Sequence, residues 1–478
     1  MPKYTPQQII KAIKSADRAF ETKDYRKALL KYKKVLVMDD SQPYVFFKLG
    51  LSYYETQNFH EAIKAFDQAL KLEKTYEFAL NKGLCLLRLQ DYDGAEKAFK
   101  LGKSIDDSKA GVWFQLGRTL LARKDFKKAI HYFERAEERE DFAPFLPIVY
   151  YLKGDAYVNL QDYENAEKAF QTSINENSDF KDSTVQLALL YFQTDRKVEA
   201  IKTITDFLKQ HPKETDLWSF RAEIHEQLAD IKNAKFCYEE AIKHSDDFNF
   251  NAHLGLAKTS ADLGEISSAY EITNTILEKD NKNISALVLK SSIFWLDGKR
   301  HEAVDFLRET ALFYYPDNTK VKRILSDYLI QLKQFTQASE VLLSLLSEFP
   351  EDWAINLNLG QIFLDESMNQ DNDPLPYIKK AEELASNSSQ KAHSLYIHGN
   401  YQYKQQDYKK AEKILSKALK EDSSHVLALL FLIKAFLMQE KGDKADKLMK
   451  ESINEHPEFE KIFHSDKTIK EFLEESSK

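Results

Sequence analysis

The sequence is poor in residues that interrupt helices and in residues that cross-link chains. Its 478 residues include 13 glycines, 11 prolines and 2 cysteines. So little Gly and Pro favours a helix-rich fold with short turns and disfavours a β-rich or disordered chain. Cys85 and Cys237 lie far apart and form no CxxC pair. We therefore expect no disulfide framework and a reducing, cytoplasmic location.

The sequence also lacks a strong charge bias and a long apolar run. Its 68 basic and 76 acidic residues give a formal net charge of -8, which creates no overall field that would attract nucleic acid. No stretch reaches the roughly 18 apolar residues needed to span a bilayer. These absences predict a soluble protein with no membrane span and no nucleic-acid partner.

Sequence motifs for common chemistries are missing as well. The chain contains no GxxxxGK[ST], GxGxxG, GxSxG or HExxH, which removes the commonest phosphate-binding, dinucleotide-binding, serine-hydrolase and zinc-protease interpretations. His393 and His398 are five residues apart in one predicted helix and therefore face different directions, with no neighbouring Cys ligand. We predict no catalytic residues, no cofactor and no metal site.

What the sequence does contain is a repeat. An aromatic residue three positions before an alanine recurs, as in Tyr25 and Ala28, and within two runs of the chain successive alanines are 33 to 37 residues apart. The alanines of this series are Ala28, Ala62, Ala95, Ala129, Ala166, Ala200, Ala234, Ala269, Ala303 and Ala338, followed by Ala411 and Ala445. Within each period the apolar spacing is helical twice over. Each helix of about 14 residues is marginal alone in water, so stacked helix pairs are predicted.

The residues of one period resemble the tetratricopeptide repeat (TPR) family. The residues that fill the TPR pattern in the second period are Phe46, Leu49, Gly50, Tyr53, Ala62, Phe66 and Ala69. The resemblance implies an all-α fold, an α-α superhelix of about 13 helix-turn-helix repeats. It also implies that the small residues let the paired helices approach closely.

The repeats are grouped by two interruptions. We expect repeats 1–4 in residues 1–143, repeats 5–10 in 147–352 and repeats 11–13 in 353–459, with an inserted loop at 364–376. The prolines at 144 and 147 mark the other interruption, which is a hinge, a contact loop or a passive insertion. Residues 460–478 are predicted to form a capping helix over the last repeat, with Ile462, Phe463, Ile469, Phe472 and Leu473 on its apolar side.

The resemblance also implies where a partner binds. In this family the first helix of each repeat faces the concave side of the superhelix, and here that register gives an apolar and aromatic stripe. The candidate protein-binding residues are Tyr44, Phe47, Leu51, Tyr54, Leu84, Phe114, Arg118, Tyr151 and Asp155. The stripe has two interpretations: it is an exposed partner site, or neighbouring first helices bury it between them. Farther along, the same face turns acidic at Asp182, Asp216, Glu223 and Glu226.

These features favour a non-enzymatic adaptor or scaffold that binds a protein or peptide segment in the concave groove, alone or as a subunit of a larger complex. The alternatives are a regulatory peptide receptor whose ligand changes the superhelix, and a non-catalytic TPR subunit of an enzyme complex. The clamp by which some TPR modules hold a chaperone's C-terminal carboxylate is incomplete, because only Asn400 fits it, with Tyr396 and Phe431 at its other positions.

Overall fold

The computed structural model describes residues 4–365 and 372–476 of the chain. All regular structure in these residues is helical, and no strand occurs among them. The chain divides into two compact units, an N-terminal unit of Met1–Asn249 and a C-terminal unit of Phe250–Lys478. Residues 366–371 of the predicted inserted loop lie outside the described residues.

The N-terminal unit consists of seven consecutive helix pairs. Its helices are α1 (Pro6–Glu21), α2 (Tyr25–Met38), α3 (Pro43–Glu55), α4 (Phe59–Leu72), α5 (Tyr76–Arg88), α6 (Tyr92–Ile105), α7 (Ala110–Ala122), α8 (Phe126–Glu137), α9 (Leu146–Asn159), α10 (Tyr163–Glu176), α11 (Lys181–Gln193), α12 (Lys197–Leu208), α13 (Thr215–Gln227) and α14 (Ile231–Lys243).

The C-terminal unit continues the same pattern for six pairs and ends in two short helices. Its helices are α15 (Phe250–Asp262), α16 (Ile266–Lys279), α17 (Ile284–Leu296), α18 (Arg300–Phe306), α19 (Leu312–Tyr314), α20 (Thr319–Gln331), α21 (Phe335–Glu348), α22 (Trp353–Phe363), α23 (Leu375–Leu384), α24 (Ser388–Lys404), α25 (Tyr408–Glu421), α26 (Val426–Leu437), α27 (Gly442–Glu455), α28 (Phe459–Ser465) and α29 (Lys467–Ser476). A π-helical turn, Leu307–Ala311, joins α18 to α19 within one second helix.

The predicted all-α helical array is confirmed, and the described residues form thirteen helix pairs. Ala269, Ala303 and Ala338 of the predicted series lie in the second helices α16, α18 and α21. The π-helical turn of the ninth pair keeps Leu307 and Ala311 both buried, so the local irregularity preserves the apolar side of that helix.

The two helices of a pair are fitted to each other by a small residue and a large one sixteen positions later. Gly117 of α7 faces the Phe133 ring of α8, and a Cβ atom built on Gly117 would lie 2.5 Å from Phe133 Cε1. The same arrangement pairs Gly50 with Phe66 and Gly154 with Phe170, and all these rings are fully buried. Glycine is needed here because any side chain would overlap the ring.

Among the described residues, the turns within twelve of the thirteen pairs share one backbone form. One residue in each of these turns adopts a positive φ, for example Lys124 at 61° and Gln161 at 60°, which ends the first helix in a left-handed cap. The next residue starts the second helix, and the side chain of Asp125 accepts a hydrogen bond from the Lys128 backbone N–H. The aspartates that the sequence places at these turns therefore act as N-caps.

The predicted interruption after the fourth repeat contributes to the core. It forms a 3-10 turn, Ala143–Phe145, whose flanking Phe142 is 5% exposed. The ring of Phe145 lies 5.0 Å from that of Phe114, centre to centre. The turn therefore fills space between the fourth and fifth pairs.

The predicted C-terminal cap is present, but it consists of two helices. Phe463 of α28 and Ile469 of α29 are fully buried against Leu429, Ile433 and Met449 of the last pair. Asp466 separates α28 from α29, and its carboxylate accepts hydrogen bonds from the backbone N–H groups of the residues that follow. An N-cap within the segment thus divides the single predicted helix.

The fit between glycine and ring is testable by a double-mutant cycle. Gly117→Ala should destabilise the N-terminal unit by about 1–3 kcal/mol through overpacking against Phe133. The double variant G117A/F133I reproduces the combination found in the sixth pair, Ala188 with Ile204. It should recover stability relative to the sum of the single changes. Chemical denaturation measures all three variants, with the exposed Lys127→Ala as the control; additive effects would contradict the fit.

Candidate protein-binding surface

The first helices of successive pairs form one continuous face of the N-terminal unit. Helix α3 contacts α5, α5 contacts α7, α7 contacts α9 and α9 contacts α11, whereas no comparable contact joins successive second helices among the described residues. The stack of pairs in this unit therefore curves with its first helices on the inner, concave side. The candidate binding residues lie on these helices.

Three rings of the predicted stripe pack between neighbouring pairs. Each lies against an aromatic residue at or just before the start of the next first helix: Phe47 against Phe78 at 4.8 Å, Phe114 against Phe145 at 5.0 Å, and Tyr151 against Phe180 at 5.6 Å between ring centres. Phe114 is only 4% exposed. These three rings therefore follow the second interpretation, in which neighbouring repeats bury the stripe between them. Phe114 is not available to a partner.

The remaining apolar and tyrosine positions are more accessible. Tyr44 is 41% exposed, and its hydroxyl donates a hydrogen bond to Asp17 Oδ1 at 3.2 Å. Partial burial and the charge of Asp17 raise the pKa of Tyr44 to about 12. Leu51 and Leu84 are half-buried. They provide an apolar floor on which a partner side chain could lie.

A cationic cluster lies beside this floor. Arg88 Nε donates a hydrogen bond to the Tyr54 hydroxyl at 3.2 Å. Arg118 lies on the next first helix, above the ring of Phe114 at 5.6 Å. Partial desolvation and the nearby charge of Arg88 lower the pKa of Arg118. Neither arginine forms an ion pair with a described residue, so both can receive a carboxylate.

Arg88 was absent from the sequence-based candidates. It lies four residues after the candidate Leu84, and residues four apart lie on the same face of a helix. The periodicity could therefore have placed it on this face. What the sequence could not show is its hydrogen bond to Tyr54, because that contact depends on how closely α3 and α5 approach.

Asp155 supplies the opposite charge one helix farther along. It is half-buried beside Tyr151, and its side chain accepts a hydrogen bond from Asn159 Nδ2 at 3.4 Å. Burial raises the pKa of Asp155, and no described basic side chain forms an ion pair with it. The concave face thus presents two cations and then an anion along the direction from α5 to α9.

The acidic residues farther along the same face differ in their surroundings. Asp216 pairs with Lys181 at 2.7 Å and is already neutralised. Burial, together with the neighbouring Glu226, raises the pKa of Glu223. These carboxylates are therefore less suited than Arg88 and Arg118 to bind a charged partner group.

The described residues show little that indicates covalent or metal chemistry. Cys85 and Cys237 are buried, and burial raises the pKa of Cys85 to about 12 and that of Cys237 to about 11. Across residues 4–365 and 372–476, no group of three or more His, Cys, Asp or Glu side chains is arranged to hold a metal ion. In the same residues, no helix is both long and apolar enough to cross a bilayer.

Comparison with known families assigns the repeat. Tetratricopeptide-repeat profiles match residues 47–109, 114–182, 215–246 and 402–463. These matches fall on the helix pairs described above and occur in both units. The chain is a tetratricopeptide-repeat protein. TPR arrays in general are scaffolds for protein–protein interaction, because their stacked repeats create extended concave surfaces.

Individual proteins match the chain at low identity. The chain is 24% identical to human Superkiller complex protein 3 over 309 residues, which is 59% of this chain and 19% of that protein. It is 21% identical to the TPR repeat-containing protein YpiA of Bacillus subtilis, over 61% of this chain and 68% of the relative. Among solved structures, the Cut9-Hcn1 hetero-tetramer matches with a TM-score of 0.38 and 16% identity, covering 96% of this chain and 94% of that one.

Two substitutions separate packing from surface on the concave face. Phe114→Ala should destabilise the protein by about 3–5 kcal/mol, because it removes a buried ring. Arg118→Ala, directly above it, should change stability by only about 0.5 kcal/mol. Urea denaturation followed by circular dichroism measures both. Equal losses of stability in the two variants would contradict the assignment of the Phe114 ring to the core and of the Arg118 guanidinium to the surface.

Proposed function

We propose that this TPR protein is an adaptor or scaffold that holds an extended, partly acidic segment of a partner protein against the concave face of its N-terminal unit. The observation that carries the proposal is the pair Arg88 and Arg118, which lie on adjacent first helices without carboxylate partners among the described residues. An arginine guanidinium binds a carboxylate through two parallel hydrogen bonds. Partial desolvation strengthens such a bond.

The neighbouring residues support a direction for the bound segment. Leu51 and Leu84 offer an apolar surface beside the two arginines, and Asp155 lies beyond them. A segment that places acidic and apolar residues over Arg88, Leu84 and Arg118, and a basic residue over Asp155, would be complementary along its length. Charge complementarity of this kind mainly determines specificity and orientation.

The arginine pair can be tested with peptides selected for binding. Peptides from a random library that bind the immobilised full chain should be enriched in Asp or Glu. The double variant R88E/R118E should weaken their binding by about 2 kcal/mol or more, as for loss of interface anchors. Calorimetric titration of a synthetic peptide measures the change.

A matched control variant carries the same change of charge on another surface of the unit. Lys97 and Lys127 are exposed on the second helices α6 and α8, so K97E/K127E adds the same negative charge away from the concave face and should leave affinity unchanged. A photo-crosslinker at position 84 should attach to the peptide, and one at position 127 should not. Crosslinks from 127 alone would place binding on another surface and overturn the proposal.

Asp155 gives the binding a predictable pH dependence. Because burial raises its pKa, protonation removes its negative charge at a higher pH than for an ordinary aspartate. Affinity for a peptide whose basic residue lies over Asp155 should therefore be full above that raised pKa and fall as the pH decreases through it. In Asp155→Asn this part of the pH dependence should vanish. An identical pH profile in D155N and the unaltered protein would exclude Asp155 from the site.

A further inference from the structure

A second candidate site lies in the sixth repeat, between α10, α11 and α12. It is a cavity of about 400 Å³, within the roughly 300–1,000 Å³ typical of small-ligand pockets. Its lining is mixed: apolar and aromatic side chains such as Leu187, Tyr191 and Phe207 lie beside charged ones such as Glu199, Lys202 and Asp206. None of these residues belongs to the concave face described above.

The cavity arises where this repeat lacks an aromatic residue. Position 184 corresponds to Trp113 in the fourth repeat, Tyr150 in the fifth and Trp218 in the seventh, and here it is threonine. Threonine is much smaller than an indole or a phenol ring. The substitution therefore leaves space that an aromatic side chain occupies in the repeats on either side.

The surroundings of Trp113 correspond to the wall of the cavity residue by residue. The Trp113 ring lies 5.9 Å from the ring of Tyr132 and within 4.6 Å of the charged groups of Lys103 and Arg139. Counted from position 184, the residues at the same offsets are Thr203, Ile174 and Gln210. All three line the cavity, so it is the counterpart of the Trp113 indole site.

The corresponding hydrogen bond also has a counterpart. Trp113 Nε1 donates to the backbone carbonyl of Asp107 at 2.8 Å, and Trp218 Nε1 donates to that of Pro212 at 3.0 Å. Each acceptor lies six residues before its tryptophan. Six residues before Thr184 is Ser178, which lines the cavity. Its carbonyl oxygen is in the sequence position to accept a bond from a ring N–H.

The Thr184 hydroxyl is a buried polar group in the wall of this cavity. The Thr184 side chain is 1% exposed, yet its Oγ1 has no hydrogen-bond partner among the described residues. A buried hydroxyl without a partner costs free energy. One part of the same wall is apolar and aromatic: Leu187 is 1% exposed, and Phe207 stacks on His211 with 4.4 Å between ring centres.

We propose that this cavity binds an indole-like aromatic group, a flat ring with an N–H donor, in the place that tryptophan occupies in the fourth and seventh repeats. Leu187, Tyr191 and Phe207 provide the apolar walls, and the Ser178 carbonyl accepts the ring N–H. The group comes from a tryptophan side chain of a partner or from a free small molecule. Both sources present the same ring to the cavity.

The test uses the full chain and indole itself. Fluorine NMR of a fluorinated indole should show saturable binding that unlabelled indole displaces. Thr184→Trp fills the cavity with its own indole, as in the fourth repeat, and should abolish this binding while raising the thermal midpoint. Thr203→Tyr fills it from the opposite wall with the counterpart of Tyr132 and should also abolish it, which keeps the test valid if one variant fails to fold.

A control variant and two further ligands distinguish the possible outcomes. Gln193→Trp adds an exposed indole on the same helix outside the cavity and should leave binding unchanged. If N-acetyltryptophanamide binds as well, the site accepts a side chain; if indole alone binds, it accepts a free molecule. 1-Methylindole should bind more weakly, and equal binding would exclude the Ser178 carbonyl as acceptor. Absence of saturable indole binding, or unchanged binding in both T184W and T203Y, would overturn the proposal.

Discussion

The close approach of the two helices within each repeat is the constraint on which the other features depend. In the second, third, fourth and fifth pairs a glycine of the first helix lies against a phenylalanine of the second, and the rings are fully buried. Without a side chain on the glycine, the ring occupies the space between the helices. Because interiors are packed nearly as densely as organic crystals, neither partner can change size alone.

The same two positions explain why the weaker repeats keep the geometry. Where the first position grows, the second shrinks: Ala188 is paired with Ile204 and Ala257 with Thr273, and Ser326 with Leu342. Each of these side chains is buried. The combined volume is roughly maintained in Ala188 with Ile204 and in Ser326 with Leu342, as cores tolerate when volume and pattern are kept, whereas Ala257 with Thr273 is smaller. A search for Gly and Phe misses these repeats, whereas a search for periodic apolar burial finds them.

Much of the fold could be predicted from the sequence, because periodicity reports contacts inside a repeat. The alanine series located the helix pairs, because each of its alanines lies in a second helix. It could not decide between exposure and packing for Phe114. That outcome depends on Phe145, which lies in an irregular turn outside the repeat period. Because periodicity does not report such contacts between repeats, the sequence alone could not show which residues of the candidate site are exposed.

These contacts between repeats determine which positions pack in the core and which can bind a partner. Aromatic residues such as Phe47 and Phe114 join one repeat to the next, so a partner that used them as anchors would have to compete with the core. Arg118 lies above the buried ring of Phe114, where its charge remains at the surface and its identity is free of the packing constraint. Thr184 shows the opposite case, in which a packing position has lost its large side chain and a cavity results. Recognition can therefore arise on this scaffold in two ways: through charges placed over an intact core, and through a gap left within it.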